Sequence, residues 1–264
     1  MIAARGGVLG VVALLAVAAC GGESAAGRDK GSAGVANDGA ATRVDTAAAA
    51  AAAGSGVAER SAAGPSTECT PRRLRALLVG TSLTAGYGLE PEQAYPALLQ
   101  RMADSAGFEV EVVNAGLSGE TSAAALRRAD WVFRAPADVI LIETGANDGL
   151  RALDPLATRE NLRGILAKAR AEHPEARLLL VQMEAPPNLG AGYTSRFHAV
   201  FPEVARESGA TLVPFLLEGV AGEPSLNQGD GIHPNVAGSR RVAANVWPAL
   251  EAALGALDPC AGRK

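Results

Sequence analysis

The sequence predicts an α/β fold, a three-layer sandwich with a central parallel five-stranded sheet and helices on both faces. Two observations predict it. Short apolar runs of β type alternate with helix-length amphipathic patterns along the last three quarters of the chain, and that alternation argues for βαβ units. The central runs Leu77-Leu78-Val79, Val139-Ile140-Leu141-Ile142 and Leu178-Leu179-Leu180-Val181 are continuously apolar, as parallel strands covered on both sides should be.

Taken in order, strands are expected over residues 75–79, 109–113, 139–142, 178–181 and 211–213. Between them, apolar residues recur at helical spacing over 95–106, 122–133, 158–171 and 195–207, and a last helical pattern covers 236–254. Pro248 lies inside that last pattern and is expected to kink or break it, because proline lacks an N–H and crowds the preceding turn. No internal repeat is present.

The first quarter differs in kind. Residues 1–19 carry one Arg near the start, an apolar stretch from Val8 to Ala19 and small residues before Cys20, the layout of a secretory signal. The stretch is shorter than the roughly 20 apolar residues that span a bilayer. Val17-Ala18-Ala19-Cys20 resembles the lipobox of bacterial lipoproteins, which implies an exported chain anchored to a membrane of the cell envelope through a lipidated Cys20. An ordinary signal peptide is the alternative. Residues 20–68 are Ala, Gly, Ser and scattered charges, with too little apolar bulk to offset the entropy of ordering, and read as a disordered tether.

Residues 69–264 are long enough for one domain with a full core. Cys69 and Cys260 flank it, and in an exported chain that placement suggests a disulfide joining the domain ends, against the alternative of two free thiols. Over the whole chain acidic residues number 28 against 24 basic ones, with no basic cluster interleaved with aromatics, so nucleic acid is not an expected partner. No CxxC or HxxxH occurs; neither metal nor other cofactor is expected. A monomer is the expected state.

Ligands of open parallel sheets bind beyond the carboxyl ends of the strands. The segments there are Gly80-Thr81-Ser82, then Asn114-Ala115-Gly116-Leu117-Ser118-Gly119, then Thr144-Gly145-Ala146-Asn147-Asp148. Each is a turn of glycine and small polar groups. Of the three histidines, His173 reads as a helix-end residue and His198 as a helical surface or packing residue. His233 stands in DGIHPN, where Asp230 precedes it by three residues, so one loop can present carboxylate and imidazole together. Alone, Asp230 would be as well read as a cap for the following helix, and Ser82 as turn chemistry.

The blocks GTSLTAGYG, NAGLSGET, GAND and DGIHPN, in that order, resemble the SGNH (GDSL) hydrolase family, and in particular its bacterial periplasmic thioesterases, lysophospholipases and arylesterases. The likeness extends to AYPALL in the first long helix and to GLRALDP after GAND. It implies the flavodoxin-like fold of that family, with Ser82 as nucleophile, Asp230 and His233 completing the triad, and Gly116 and Asn147 joining the Ser82 N–H in the oxyanion hole. These roles are chemically coherent: a serine hydroxyl needs an imidazole to take its proton, the imidazole needs a carboxylate to fix its tautomer, and a tetrahedral oxyanion needs preorganised donors. The GxSxG elbow of the other common serine hydrolases is absent, since Thr84 stands two residues after Ser82.

One departure concerns Thr81, where the family usually has Asp. Its place between strand and helical turn suggests an N-cap, so the substitution is expected to alter support for the turn without removing a proton-handling group. Leu150 and Leu153 in GLRALDP are expected either to cover a bound acyl chain, as the resemblance implies, or to pack the next helix. Pro186 in EAPPNL is expected in another wall of the site, with Glu184 a shaping residue. The expected activity is hydrolysis of small-molecule or lipid acyl esters or thioesters through an acyl-enzyme. Deacetylation of carbohydrate and a non-catalytic envelope lipoprotein are the alternatives.

Overall fold

In the structure, a computed structural model that describes residues 72–258, five parallel strands form one sheet in the order β2-β1-β3-β4-β5. They are β1 (Leu74–Gly80), β2 (Val110–Gly116), β3 (Val139–Glu143), β4 (Arg177–Val181) and β5 (Thr211–Val213). The expected anchor at Cys20, the tether and the Cys69–Cys260 pairing fall outside the described residues. Burial follows the sequence pattern. β3 is buried throughout and β1 and β4 nearly so, while the edge strands β2 and β5 are partly exposed.

The connecting helices are α1 (Ser82–Ala85), α2 (Tyr95–Ala106), α3 (Ser122–Val132), α4 (Ala146–Leu150), α5 (Pro155–Glu172), α6 (Ala191–Ser208) and α7 (Val236–Leu257). α2 packs on α7, whereas α3 packs on α5 and α5 on α6, giving the two helical layers that a doubly covered sheet requires. Three starts are fixed by side-chain caps. Thr121 accepts from the Ala124 N–H, Asp154 from that of Leu156, and Asn235 from those of Ala237 and Gly238, each satisfying donors with no partner inside the helix.

α7 runs through Pro248 without a break, so of the two expected outcomes the proline does not end the helix. Pro248 and Ala244, whose carbonyl loses its helical partner, are both exposed, so water can satisfy the freed oxygen. α6 likewise contains Pro202. There the freed His198 carbonyl receives the Gln182 side-chain amide at 3.3 Å.

The sheet positions the site through its topology. After β1 the chain moves to one side for β2 and returns to the other for β3, so the loops leaving β1 and β3 diverge and open a crevice above their carboxyl ends. Gly80 stands in register with both Gly116 and Glu143, which puts the three Gly-bearing turns side by side.

Candidate active site

Ser82 opens α1, two residues beyond the end of β1. Its Oγ lies 2.9 Å from His233 Nε2, and His233 Nδ1 lies 2.6 Å from Asp230 Oδ2. The Asp230 Oδ1 accepts the backbone N–H groups of Ile232 and His233, both at 3.0 Å, so the DGIHPN turn folds around its own carboxylate. The His233 side chain first, then these N–H groups, hold the Asp230 carboxyl down at about 2. An ionised Asp230 accepts a proton-bearing Nδ1, which leaves Nε2 to accept from the Ser82 hydroxyl.

Other contacts fix the imidazole's seat. The Tyr87 ring lies 4.6 Å from that of His233. Gln228 donates its backbone N–H to the His233 carbonyl at 2.7 Å, and its side-chain amide bridges the carbonyls of Tyr87 and Pro234 at 2.7 and 3.0 Å. The loop carrying His233 is thereby tied to the turn after α1. Asp230 does not cap α7; Asn235 does.

The donor site differs from the sequence expectation at one residue. The Gly116 N–H is taken by its neighbour's side chain, Asn114 Oδ1, at 2.9 Å, and Gly116 does not line the cleft. It is glycine for packing: a Cβ there would meet the Ala85 backbone nitrogen at 2.2 Å. Gly119 lines the cleft with Ser82 and Asn147. The N–H groups of Ser82 and Gly119 take no protein acceptor among the described residues. Gly119 has φ 77°, the left-handed turn that glycine adopts without cost. The signal in the sequence was its place in SGET, a glycine two residues before the helix cap Thr121. Asn147 spends one amide hydrogen on the Glu120 carbonyl at 3.0 Å and keeps the other.

Thr81 also departs from expectation, since its hydroxyl caps nothing. It turns inward to Glu143, lying 3.0 and 3.1 Å from the two carboxylate oxygens, and the Thr81 N–H donates to the same group at 2.9 Å. Thr84 adds its N–H at 3.3 Å and its hydroxyl at 2.8 Å, and the Tyr95 hydroxyl lies 2.7 Å from that of Thr84. Glu143 is fully buried. Burial pushes its carboxyl up to about 7, against the lowering effect of these donors, and burial with the nearby Glu143 charge pushes the Tyr95 phenol up. A second buried carboxylate, Asp148, accepts from the Ser122 N–H at 2.8 Å and the Ser122 hydroxyl at 2.5 Å. It locks the GAND turn to the start of α3, where negative charge is favoured.

The cleft holds about 560 Å³. Its apolar walls include Leu83, Leu150, Pro186, Phe215 and Leu217. Leu150 and Pro186 thus stand where expected, but Leu153 lies outside the lining; its carbonyl receives the Tyr193 hydroxyl at 2.7 Å. Glu184 shapes one wall, and its Oε1 receives His198 Nδ1 at 2.6 Å and the Gln182 amide at 3.2 Å. His173 sits at the end of α5 with Nε2 2.8 Å from the Phe133 carbonyl, remote from the cleft lining.

The model of the GDSL-like lipase/acylhydrolase family matches residues 78–241. Esterase TesA of Pseudomonas aeruginosa is 43% identical over 180 residues, 67% of this chain and 88% of that protein. Thioesterase 1/protease 1/lysophospholipase L1 of Escherichia coli K12 is 40% identical over 160 residues, 60% of this chain and 74% of its own. A crystal structure of TesA superposes with a TM-score of 0.65 at 41% identity, covering 68% of this chain and 99% of that one. The matched span runs from within β1 into α7 and so contains every residue of the cleft described above, and on that ground the chain belongs to the GDSL-like lipase/acylhydrolase family.

Proposed function

We propose that the chain is a serine esterase that cleaves acyl esters, and thioesters of similar shape, through an acyl-enzyme on Ser82. The observation that carries this reading is the continuous line from Ser82 Oγ through His233 to Asp230, at 2.9 and 2.6 Å. As Oγ attacks the substrate carbonyl, its proton passes to Nε2. The imidazolium is stabilised by Asp230, and the oxyanion is received by the N–H groups of Ser82 and Gly119 and by the Asn147 amide. His233 then protonates the leaving oxygen or sulfur. A water molecule, losing its proton to the same nitrogen, adds to the acyl carbonyl, and the imidazolium passes that proton to Ser82 Oγ as the acyl bond breaks, releasing the acid and restoring the serine.

The related proteins carry the names esterase, thioesterase and lysophospholipase, which supports acyl esters and thioesters as the substrate class. The lipobox-like Val17-Ala18-Ala19-Cys20 supports a further element of the proposal: the enzyme works outside the cytoplasm, tethered by lipid at Cys20. Cys20→Ser should then release active enzyme from the membrane fraction, and unchanged fractionation would rule the anchor out.

A fluorophosphonate probe tests the catalytic reading. Wild type should label and Ser82→Ala should not, while His233→Ala should lose ester turnover by several orders of magnitude. Equal labelling of wild type and Ser82→Ala would remove Ser82 from the mechanism.

A further inference from the structure

Beneath the donor site lies a largely buried ion pair, its arginine side chain 18% exposed, that the reaction itself does not use. Glu120, whose side chain is 1% exposed, accepts Arg128 Nε on one oxygen and Nη2 on the other, both at 2.6 Å. The same Nη2 reaches the carbonyls of Ala115 at 2.9 Å and Gly80 at 3.3 Å. Ala115 is the penultimate residue of β2 and Gly80 the last of β1, beside the peptide that leads to Ser82. The other end of Glu120 matters as much. Its carbonyl receives the Asn147 amide, and its nitrogen is joined to Gly119, so one residue is bonded to two of the three oxyanion donors. Its N–H closes the turn onto the Leu117 carbonyl at 3.3 Å, and the Leu117 N–H in turn binds the Gly80 carbonyl at 2.8 Å.

We propose that Arg128 is a positioning residue: through Glu120 it holds the Gly119 N–H and the Asn147 amide in fixed register with Ser82. Ion pairs buried in this way are seldom the most stable filling of their space, because desolvation offsets the attraction. Stability therefore gives little reason for the pair, whereas geometry gives a clear one. The guanidinium meets both carboxylate oxygens through Nε and Nη2 while Nη2 also reaches the two carbonyls, a fork that a lysine ammonium, a single point of charge, does not reproduce. The donors of an oxyanion site act only when preorganised, and small displacements of such groups can cost up to about 100-fold in rate. Arg128 touches no reacting atom; it acts through Glu120.

The inference rests on the serine esterase reading. Its test is a double-mutant cycle on a chromogenic short-chain ester, combining R128K with N147A, with thermal melting and the rate of fluorophosphonate inactivation recorded for each protein. R128K keeps a positive charge facing Glu120 and loses only the grip. The expected result is a fall in kcat of about 10- to 100-fold with KM within about threefold of wild type. Inactivation, which builds a tetrahedral adduct in the same donor site, should slow by the same factor. In the N147A background R128K should cost clearly less than it does alone, because the part of its effect that runs through Asn147 is already gone and only the Gly119 N–H is left to misplace.

Unchanged kcat in an R128K protein that melts like wild type overturns the proposal, and so does an R128K loss that is as large in the N147A background as in wild type. The pair E120Q/R128M removes both charges without stranding either, so it separates position from folding. It should melt near wild type and show the same kcat loss. Full activity in that variant, or a loss in both variants that merely follows the fraction unfolded, also overturns the proposal. If instead S82A retains ester turnover, the esterase reading itself falls; an enzyme that depends on Ser82 but is indifferent to R128K removes the positioning role alone.

Discussion

Thr81 is one residue from the proposed nucleophile, yet its hydroxyl faces away from the chemistry and onto the buried Glu143. The Glu143 carboxyl is raised from 4.5 to about 7 in the fold. A group whose folded value is raised binds protons more tightly when native, so its stabilisation is complete below about 4.5 and is lost as pH rises through about 7. Glu143→Gln should abolish that loss, because an amide can accept from the Thr84 groups and donate to the Thr81 hydroxyl without ionising. Thermal melts from pH 5 to 8 should show wild type weakening relative to the variant as pH rises; parallel curves would exclude Glu143 as the titrating group. Thr81→Asp should have the opposite effect. Two carboxyls in hydrogen-bond contact cannot both ionise cheaply, so this variant should melt near wild type at pH 5 and fall progressively below it above pH 7. A Thr81→Asp curve parallel to wild type would show that the new carboxylate points elsewhere.

Gly116, which ends β2, and Gly119, three residues on, separate what the sequence made legible from what it did not. The five strands, the starts of α2, α3 and α7, and the pairing of Asp230 with His233 were readable because each rests on local chemistry: apolar runs, helical spacing, and a carboxylate and imidazole in one turn. The donor glycine was not, since NAG and SG both look like Gly turns, and only the fold reveals that the Gly116 N–H is spent on Asn114. The Glu120–Arg128 pair was hidden for a similar reason. Its acceptors, the carbonyls of Gly80 and Ala115, are backbone groups that no residue pattern advertises. The same applies to Glu143, which closes an apolar strand without a sequence sign of what it faces. A pair of substitutions tests the distinction at the level of the element. Gly116→Ala drives a Cβ into the Ala85 backbone at 2.2 Å, so α1 must shift and Ser82 with it, and both melting temperature and kcat should fall. Gly119→Ala meets nothing within 4 Å and bears only left-handed strain, about 1–2 kcal/mol. It should melt slightly lower, and any loss of activity should lie in kcat and exceed what that melting shift explains. Equal tolerance of alanine at both positions would contradict the packing role of Gly116.

At the scale of the whole molecule, the chain gathers its chemistry from distant segments because a parallel sheet puts every strand's carboxyl end on one edge. The final loop, on the way from β5 to α7, brings Asp230 and His233 to Ser82 across 151 positions of sequence. The same edge carries the apolar cleft of about 560 Å³, within the size range of small-molecule sites, and that cleft sets a substrate preference that can be argued in advance. Each methylene that leaves water for an apolar wall is worth about 0.8 kcal/mol, so kcat/KM should rise about fourfold per added carbon while the chain still lies against Leu83, Leu150 and Phe215. Once the acyl group outgrows the cleft the gain should stop. A series of p-nitrophenyl esters from acetyl to palmitoyl should therefore climb, level off and then decline. Leu150→Ala should flatten the climb while sparing acetyl, and Leu153→Ala, whose side chain lies outside the lining, should leave the profile unchanged. A series in which acetyl is the fastest would instead favour a carbohydrate deacetylase, because a cleft serving acetyl groups gains nothing from apolar walls of this extent.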